Sequence, residues 1–339
     1  MGCEMKVLIT GATGFIGGEL CVHLLKLGYD VLAQGRSIEK MRRLQKVVPP
    51  SEAGRLIVLP CELKELKALP RGINAVVHAA AVRDPEARIS PAVAVETNVG
   101  GTVRLWDLAE NSGAQRFVLL SSQSVYGTAT PPWREDQQPE PQGVYALSKY
   151  AAEQVVLNRV TRMEPVVLRV SRVYGVGLFM RWDELIGRFV LQTREGKPIE
   201  IHGDGGQRMD LIHIQDLTRG ISIILGQSEP LPSRVYNLGG GESHSVMEIA
   251  EVVRQEAIVA GFNAPALKKR RDVPPAGPRH LELDISRIRQ ELGWEPRVSL
   301  RDGVREYFRL VSGLDFPVTD LGRGAFEGQC HKLPREAEQ

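Results

Sequence analysis

Two periods of apolar and polar positions take turns along this chain. Lys6 to Thr10, KVLIT, is a short and nearly continuous apolar run that fits a strand buried on both faces. Phe15, Leu20, Val22, Leu24 and Leu25 then recur at helical spacing, and Gly28 stops the pattern. Asp30 to Gln34 returns to a strand run, which predicts a βαβ unit of roughly thirty residues. Further strand-like runs lie at Leu56 to Leu59, Ala75 to His78, Phe117 to Leu120 and Pro165 to Arg169, with helical stretches at Pro91 to Asn111 and Tyr145 to Arg162. Such alternation predicts an α/β fold built on a doubly wound parallel sheet with helices on both faces. Ligands of such sheets sit outside the carboxyl ends of the strands.

The pattern changes after about Gly177. Helices are predicted at Trp182 to Arg194, Val246 to Ala257, Ser286 to Leu292 and Arg301 to Leu310, between short extended pieces and Pro/Gly-rich loops. The expectation is a first domain over residues 1–176 and a smaller mixed α/β substrate domain over 177–313, in which 208–225 packs back on the first. Residues 314–339 lack periodicity and read as a tail. Lys268 to Arg279, KKRRDVPPAGPR, reads as a basic loop that faces either substrate phosphates or solvent.

Composition narrows the function classes. Lys plus Arg number 43 and Asp plus Glu 41, a formal charge of +2, which argues against a nucleic-acid or membrane-surface partner. Hydrophobic residues at 42% suffice for a core without staples. Cys3, Cys21, Cys61 and Cys330 lie far apart with no CxxC pair, so a zinc ribbon is excluded and a reducing, cytoplasmic location is expected. The seven histidines form no ligand spacing, and no metal is expected. The first strand starts too early for a secretory leader, Lys6 breaks the myristoylation pattern, and no apolar run is long enough to span a membrane.

Candidate chemistry gathers at strand ends. Thr10 to Gly17, TGATGFIG, is a glycine turn between a strand and a helix. Gly11 permits the tight turn, Gly14 lets backbone approach a pyrophosphate, and Gly17 lets helix and strand pack closely. With Thr13, Phe15 and Ile16, these residues predict a dinucleotide-phosphate site at the helix N-terminus. The second strand ends Gln34-Gly35-Arg36-Ser37, with no carboxylate until Glu39. A carboxylate there would bind the ribose 2′-hydroxyl of NAD, whereas Arg36 and Ser37 suit a 2′-phosphate, so NADP(H) is favoured and NAD(H) is the alternative. Tyr145 and Lys149 stand four apart in YALSK, on one face of a helix. A neighbouring ammonium would lower the phenol's pKa and let Tyr145 exchange a proton with an alcohol or carbonyl. Ser122, at the end of the run FVLLSSQSVYG, would hold the reacting oxygen for it.

TGATGFIG, VVHAAA, NVGGT, SSQSVYG, YALSK, GDGGQRMDLIHIQDL and ELGWEP occur in that order, and together they span about residues 5–312. In these blocks the chain resembles the extended short-chain dehydrogenase/reductases, in the branch of nucleotide-sugar epimerases, dehydratases and ketoreductases. The resemblance implies a Rossmann-type cofactor domain, a smaller substrate domain and a homodimer built from two helices per subunit. It also implies a catalytic set of Ser122, Tyr145 and Lys149, with Lys149 holding the nicotinamide ribose. His78 and Ala79, Ala80 and Ala81 would line the cofactor cleft, Glu62 and Leu63 would lie near the adenine, Val170 would border the cofactor, and Asn98 would support the adjoining helix.

Several departures bear on the reaction. The Thr-Asp-Glu of family 4,6-dehydratases is Ser122, Gln123 and Ser124 here, so water elimination is not expected. The family's Asn before VYG is Arg172, and its diphosphate-binding Arg is Met209 with Arg208 one place earlier. Ser122, Ser124, Arg172 and Arg208 are the candidate substrate contacts. The main expectation is a ketoreductase acting on a nucleotide-sugar-like molecule. A 4-epimerase with tightly held NAD is the alternative, and a non-catalytic dinucleotide-binding regulator the second.

Overall fold

The computed structural model describes residues 5–271 and 280–313. It opens with β1 (Lys6–Thr10), α1 (Phe15–Lys26), β2 (Asp30–Gly35), α2 (Ile38–Val47), α3 (Pro50–Ala53), β3 (Leu56–Pro60) and β4 (Ala75–His78). Then come α4 (Asp84–Ile89), α5 (Pro91–Val95), α6 (Gly101–Ser112), β5 (Arg116–Ser122), α7 (Gly143–Leu157), β6 (Glu164–Val170) and β7 (Arg172–Tyr174). The remainder holds α8 (Leu185–Arg194), β8 (Ile199–His202), β9 (Arg208–His213), α9 (Ile214–Leu225), β10 (Val235–Leu238) and β11 (Ser243–Ser245). Last are α10 (Val246–Val259), β12 (Leu267–Arg270), α11 (Ser286–Leu292) and α12 (Leu300–Ser312).

Seven parallel strands in the order β10-β6-β5-β4-β1-β2-β3 form the main sheet. The chain reverses its direction of travel between β1 and β4, the position at whose carboxyl side sheets of this kind bind ligands. Alternation along β1 explains why both faces are covered. Val7 and Ile9 join a core with Leu20 and Leu24 of α1 and Ile221 and Ile224 of α9. Leu8, between them, points the other way into a core with Leu105 and Trp106 of α6 and Val156 of α7. A third core gathers α8, α10 and α12 around Phe189, Val253 and Phe308.

Four elements depart from the sequence pattern, each for a local reason. The stretch Pro91 to Asn111 is not one helix: π-type hydrogen bonding over Glu96–Gly100 separates α5 from α6. The widened turn brings Asn98 inward, where its amide oxygen accepts from Val82 N–H at 2.8 Å and its nitrogen donates to Val82 O at 3.0 Å. α7 ends at Leu157 rather than Arg162, because the Asn158 side chain bonds back to Gln154 O at 2.9 Å. α8 starts at Leu185 rather than Trp182, whose ring packs edge-on against Tyr307. Leu267–Arg270 is a strand rather than a basic loop, since it pairs in parallel with β8. Lys268 and Lys269 there are exposed, and the rest of that basic segment from residue 272 lies outside the described residues, as does 314–339.

Gly17 is where α1 packs closest to the turn beneath it: a Cβ at this position would lie 2.3 Å from Gly11 O. Gly17→Ala is therefore expected to cost about 1–3 kcal/mol, as overpacking does. Gly100→Ala, whose added carbon meets nothing within 4 Å, serves as the helical control and should be neutral or stabilising. Urea unfolding of the two variants checks the difference.

Candidate active site

The turn after β1 is held by its own backbone. Gly14 N–H donates to Gly11 O at 2.8 Å, and Ala12 N–H donates to Gln34 O at 2.9 Å. Gly11 adopts φ +71°, and a Cβ there would sit 2.7 Å from Ala80 N, so only glycine lets this turn lie against the chain leaving β4. α1 then begins without a side-chain cap and without an acidic residue in its first turn. The N–H groups of Phe15, Ile16 and Gly17 thus have no intrahelical acceptor, at the positive end of a twelve-residue helix. This cradle fits a dinucleotide pyrophosphate, with Thr13 and Gly14 at its mouth.

The other candidate cofactor residues surround it unevenly. Arg36 is exposed at the end of β2, while the Ser37 hydroxyl caps α2 by accepting from Lys40 N–H at 3.3 Å. Glu62 is at the surface, ion-paired with Lys64 at 2.9 Å, and caps the single turn Leu63–Glu65. Leu63 is buried and touches the backbone of α6 at Gly101. Ala79, Ala80 and Ala81 are half-buried on the chain leaving β4, and Val170 is buried at the end of β6, in register with Ser122.

His78 is locked between two threonines. Thr102 Oγ1 donates to Asn98 O at 2.6 Å, so it accepts from His78 Nε2–H at 3.1 Å. On the other side Thr10 Oγ1 lies 2.7 Å from His78 Nδ1 and accepts from Ala80 N–H at 3.3 Å, which leaves its own proton for the imidazole. Both roles require a neutral ring. Burial, helped by the nearby Lys149 ammonium, pushes the His78 pKa down to about 3.

Tyr145 and Lys149 lie on α7, and Ser122, at the end of β5, interacts with Tyr145. The Ser122 hydroxyl accepts from Ser124 N–H at 3.2 Å, and its interaction with the Tyr145 phenol favours the phenolate. Burial outweighs it, with Asp84 adding to the effect, so the Tyr145 pKa lies above that of a free phenol. This corrects the expectation that Lys149 lowers it: removal from water dominates here. Lys149 is 3% exposed, and burial brings its pKa down to about 8 against the pull of Glu153. Asn98 Nδ2 donates to Ser148 Oγ at 2.9 Å, whose hydroxyl donates to Tyr145 O at 2.8 Å, which ties the first turn of α7 to the β4 chain. Gln123 Oε1 and Ser124 Oγ are buried without a hydrogen-bond partner, two polar atoms that suit a polar ligand.

The two candidate substrate arginines do not converge. Arg172 on β7 is exposed and stands opposite Leu211 of β9, whereas Arg208 lies three residues earlier on β9. An odd offset places them on opposite faces of that small sheet. Arg208 is engaged by Ser243, through both its hydroxyl and its carbonyl, and by Glu248. Sequence reasoning overlooked Glu153 and Arg169, a buried ion pair at 2.8 Å beside Lys149. An acidic residue four places after Lys149 on the inner face of α7 was the available signal. It also missed Phe179, whose ring packs on Gly18 beneath Lys40 and Arg43. Among the described residues no group of His, Cys, Asp and Glu is placed to hold a metal ion, and no helix is long and apolar enough to cross a membrane.

A sequence model described as "NAD dependent epimerase/dehydratase family" matches residues 7–239. A UDP-glucuronate 4-epimerase of Thermodesulfobacterium geofontis is 31% identical over 88% of this chain and 93% of its own. A dTDP-glucose 4,6-dehydratase of an Actinoplanes strain is 28% identical over 89% and 96%. The structure of UDP-glucuronic acid 4-epimerase from Bacillus cereus with UDP-glucuronic acid and NAD superposes with a TM-score of 0.79 at 29% identity, covering 91% of this chain and 99% of the other. MoeE5 in complex with UDP-glucuronic acid and NAD gives 0.77 at 31% identity, over 91% and 99%. These neighbours hold NAD, so they support NAD(H); the preference for NADP(H) read from Arg36 gains nothing from them. Among the reactions considered, they favour the epimerase over the ketoreductase.

The depressed His78 pKa has a consequence for stability. The unfolded chain binds a proton at His78 below about pH 6.5 that the folded protein does not accept until about pH 3, so this site's contribution falls as pH drops through that window. His78→Gln, which can keep both threonine contacts, removes this dependence. Urea midpoints at pH 7 and pH 5 should therefore differ less in the variant than in the wild type.

Proposed function

The chain belongs to the NAD dependent epimerase/dehydratase family, and on that premise we propose that it is a nucleotide-sugar 4-epimerase that keeps NAD bound between turnovers. One observation carries the reading: the Tyr145 phenol interacts with Ser122 at the carboxyl end of β5, and Lys149 follows four residues later on the same face of α7, in a fold whose first helix starts uncapped after a glycine turn. Gln123 and Ser124 favour epimerisation over elimination, because neither supplies a general acid for a leaving hydroxyl. Lys149 is the group proposed to hold the nicotinamide ribose, and the N–H groups of Phe15, Ile16 and Gly17 the pyrophosphate. The dinucleotide, when bound, supplies a hydride acceptor that becomes the donor for the return step.

In this reading Ser122 hydrogen-bonds the C4 oxygen of the sugar and orients it toward Tyr145. The phenolate of Tyr145 takes the hydroxyl proton as C4 becomes a carbonyl, then gives it back after the sugar presents its other face. Because burial raises the Tyr145 pKa, forming the phenolate depends on cationic neighbours, and Lys149 is the one on the same helix face. The uronate found with the neighbours makes UDP-glucuronate the first substrate to try. Arg172 and Arg208 remain candidate contacts of the diphosphate, each from its own face of the small sheet.

A homodimer is part of the proposal. Ile89, Val93, Val95 and Leu147 expose 83%, 51%, 49% and 53% of their surfaces on the adjoining helices α4, α5 and α7, an apolar patch suited to a second copy. Sedimentation should give twice the chain mass, and Ile89→Glu with Leu147→Glu should give the monomer; a wild-type monomer rejects this part. The free Cys21 and Cys61 fit the proposed cytoplasmic location.

The enzymatic test is direct. Wild-type protein incubated with UDP-glucuronate and no added cofactor should form UDP-galacturonate, read by chromatography. Tyr145→Phe keeps the ring and loses the acid, so turnover should fall by about a hundredfold or more while the bound nucleotide stays. Near-normal turnover in that variant contradicts the assignment.

A further inference from the structure

The candidate catalytic face of α7 continues one turn past Lys149. Tyr145, Lys149 and Glu153 follow at intervals of four residues and share one side of the helix. Glu153 is fully buried, and its carboxylate is held from two directions. The Ser121 hydroxyl donates to Oε1 at 2.5 Å. Arg169 Nε reaches both oxygens at 3.2 Å, and its terminal nitrogen donates to Oε2 at 2.8 Å. Arg169 is itself 4% exposed, with its guanidinium 4.8 Å from the centre of the Tyr126 ring.

An ion pair this deep is a poor device for stability alone, since apolar residues of the same shape often serve as well. Its location suggests another use. Ser121 precedes Ser122 on β5, Arg169 precedes Val170 on β6, and Glu153 follows Tyr145 and Lys149 on α7. The carboxylate thus joins the three elements that carry the candidate residues.

His78, from β4, is kept neutral by burial first and by the Lys149 charge second. β5 offers the hydroxyls of Ser121 and Ser122, and the widened turn before α6 offers the amide of Asn98. Tyr145 lies on the same helix, and Asp84 of α4 acts on that phenol. Arg169 of β6 is a cation turned toward Glu153. Glu153 is the anion that opposes the effect of burial on Lys149.

We propose that Glu153 is a positioning residue whose carboxylate keeps Lys149 as the ammonium and ties α7 to the ends of β5 and β6, so that Ser122, Tyr145 and Lys149 stay in register. The positioning part rests on the proposed catalytic reading; the charge part does not.

Lysine ε-carbon NMR titration of the full-length protein, with the Lys149 resonance assigned by its loss in Lys149→Met, reads the charge part without any substrate. Glu153→Gln preserves shape and the Ser121 contact but strands Arg169, so Glu153→Gln/Arg169→Gln, a neutral pair, is the second variant. The unfolding midpoint should drop in the single variant and recover in the double. The Lys149 titration midpoint should fall in Glu153→Gln, and fall less in the double variant, which also removes the Arg169 cation. A midpoint unmoved in Glu153→Gln, or no lower in the double variant than in Arg169→Gln alone, overturns the charge assignment. On a turned-over nucleotide sugar, kcat of the double variant should fall about tenfold or more with KM changed less, and the alkaline limb of the Glu153→Gln pH profile should move to lower pH. Wild-type kcat in the double variant overturns the positioning role. If wild-type protein turns over no nucleotide sugar, the functional reading fails by itself, and the titration still decides the charge part.

Discussion

Between the turn that leaves β1 and the chain that leaves β4 there is no room for a methyl group. A Cβ on Gly11 would lie 2.7 Å from Ala80 N and 2.9 Å from Ala79 C. That approach fixes the glycine turn against the β4 chain at the point where the strand order reverses, and the neighbouring polar contacts hold it there. Thr10, His78 and Thr102 form a hydrogen-bonded row across β1, β4 and α6. Asn98 extends the row to the chain after β4 and, through Ser148, to α7. The helix that carries Tyr145 and Lys149 is thereby referenced to the same strands as the glycine turn. The glycine turn and the proposed proton donor, built on different elements, share one frame.

Much of this was legible along the chain, because it rests on local chemistry. The apolar runs of β1, β4 and β5, the glycine turn and the four-residue step from Tyr145 to Lys149 are short-range signals, and the structure places each near its expected bounds. Contacts between distant residues left no such trace. Arg169 meets Glu153 across sixteen positions, and Lys268 becomes part of a strand only because β8 lies beside it. Asn98 was visible as a residue, but the widened turn that aims it at Val82 was not. The Tyr145 pKa shows the same limit: spacing reveals the neighbouring cation, whereas burial, which decides the direction, is a property of the whole fold.

The site's electrostatics also separate two kinds of buried group. His78 is deprived of charge and serves as a rigid link, while burial brings Lys149 toward the edge of its charged range and Glu153 opposes that effect. A phenol made less acidic by burial, next to a lysine of that kind, is poised to respond to whatever positive charge or hydrogen bond a ligand brings. An enzyme that must both remove and return a proton at one oxygen has use for such a pair. In the proposed epimerase a cofactor kept in place throughout would fit that cycle, since the hydride would leave and return within one turnover.

Retention of that cofactor is the central claim, and one measurement addresses it. Purified protein is denatured, and any nucleotide released is identified by mass and quantified against chain concentration. The account predicts NAD(H) at close to one per chain. Protein that is empty as purified, and that then binds NADPH much more tightly than NADH, contradicts it; the charge of Arg36 would then be reading a 2′-phosphate, and the reaction would be sought among ketone reductions.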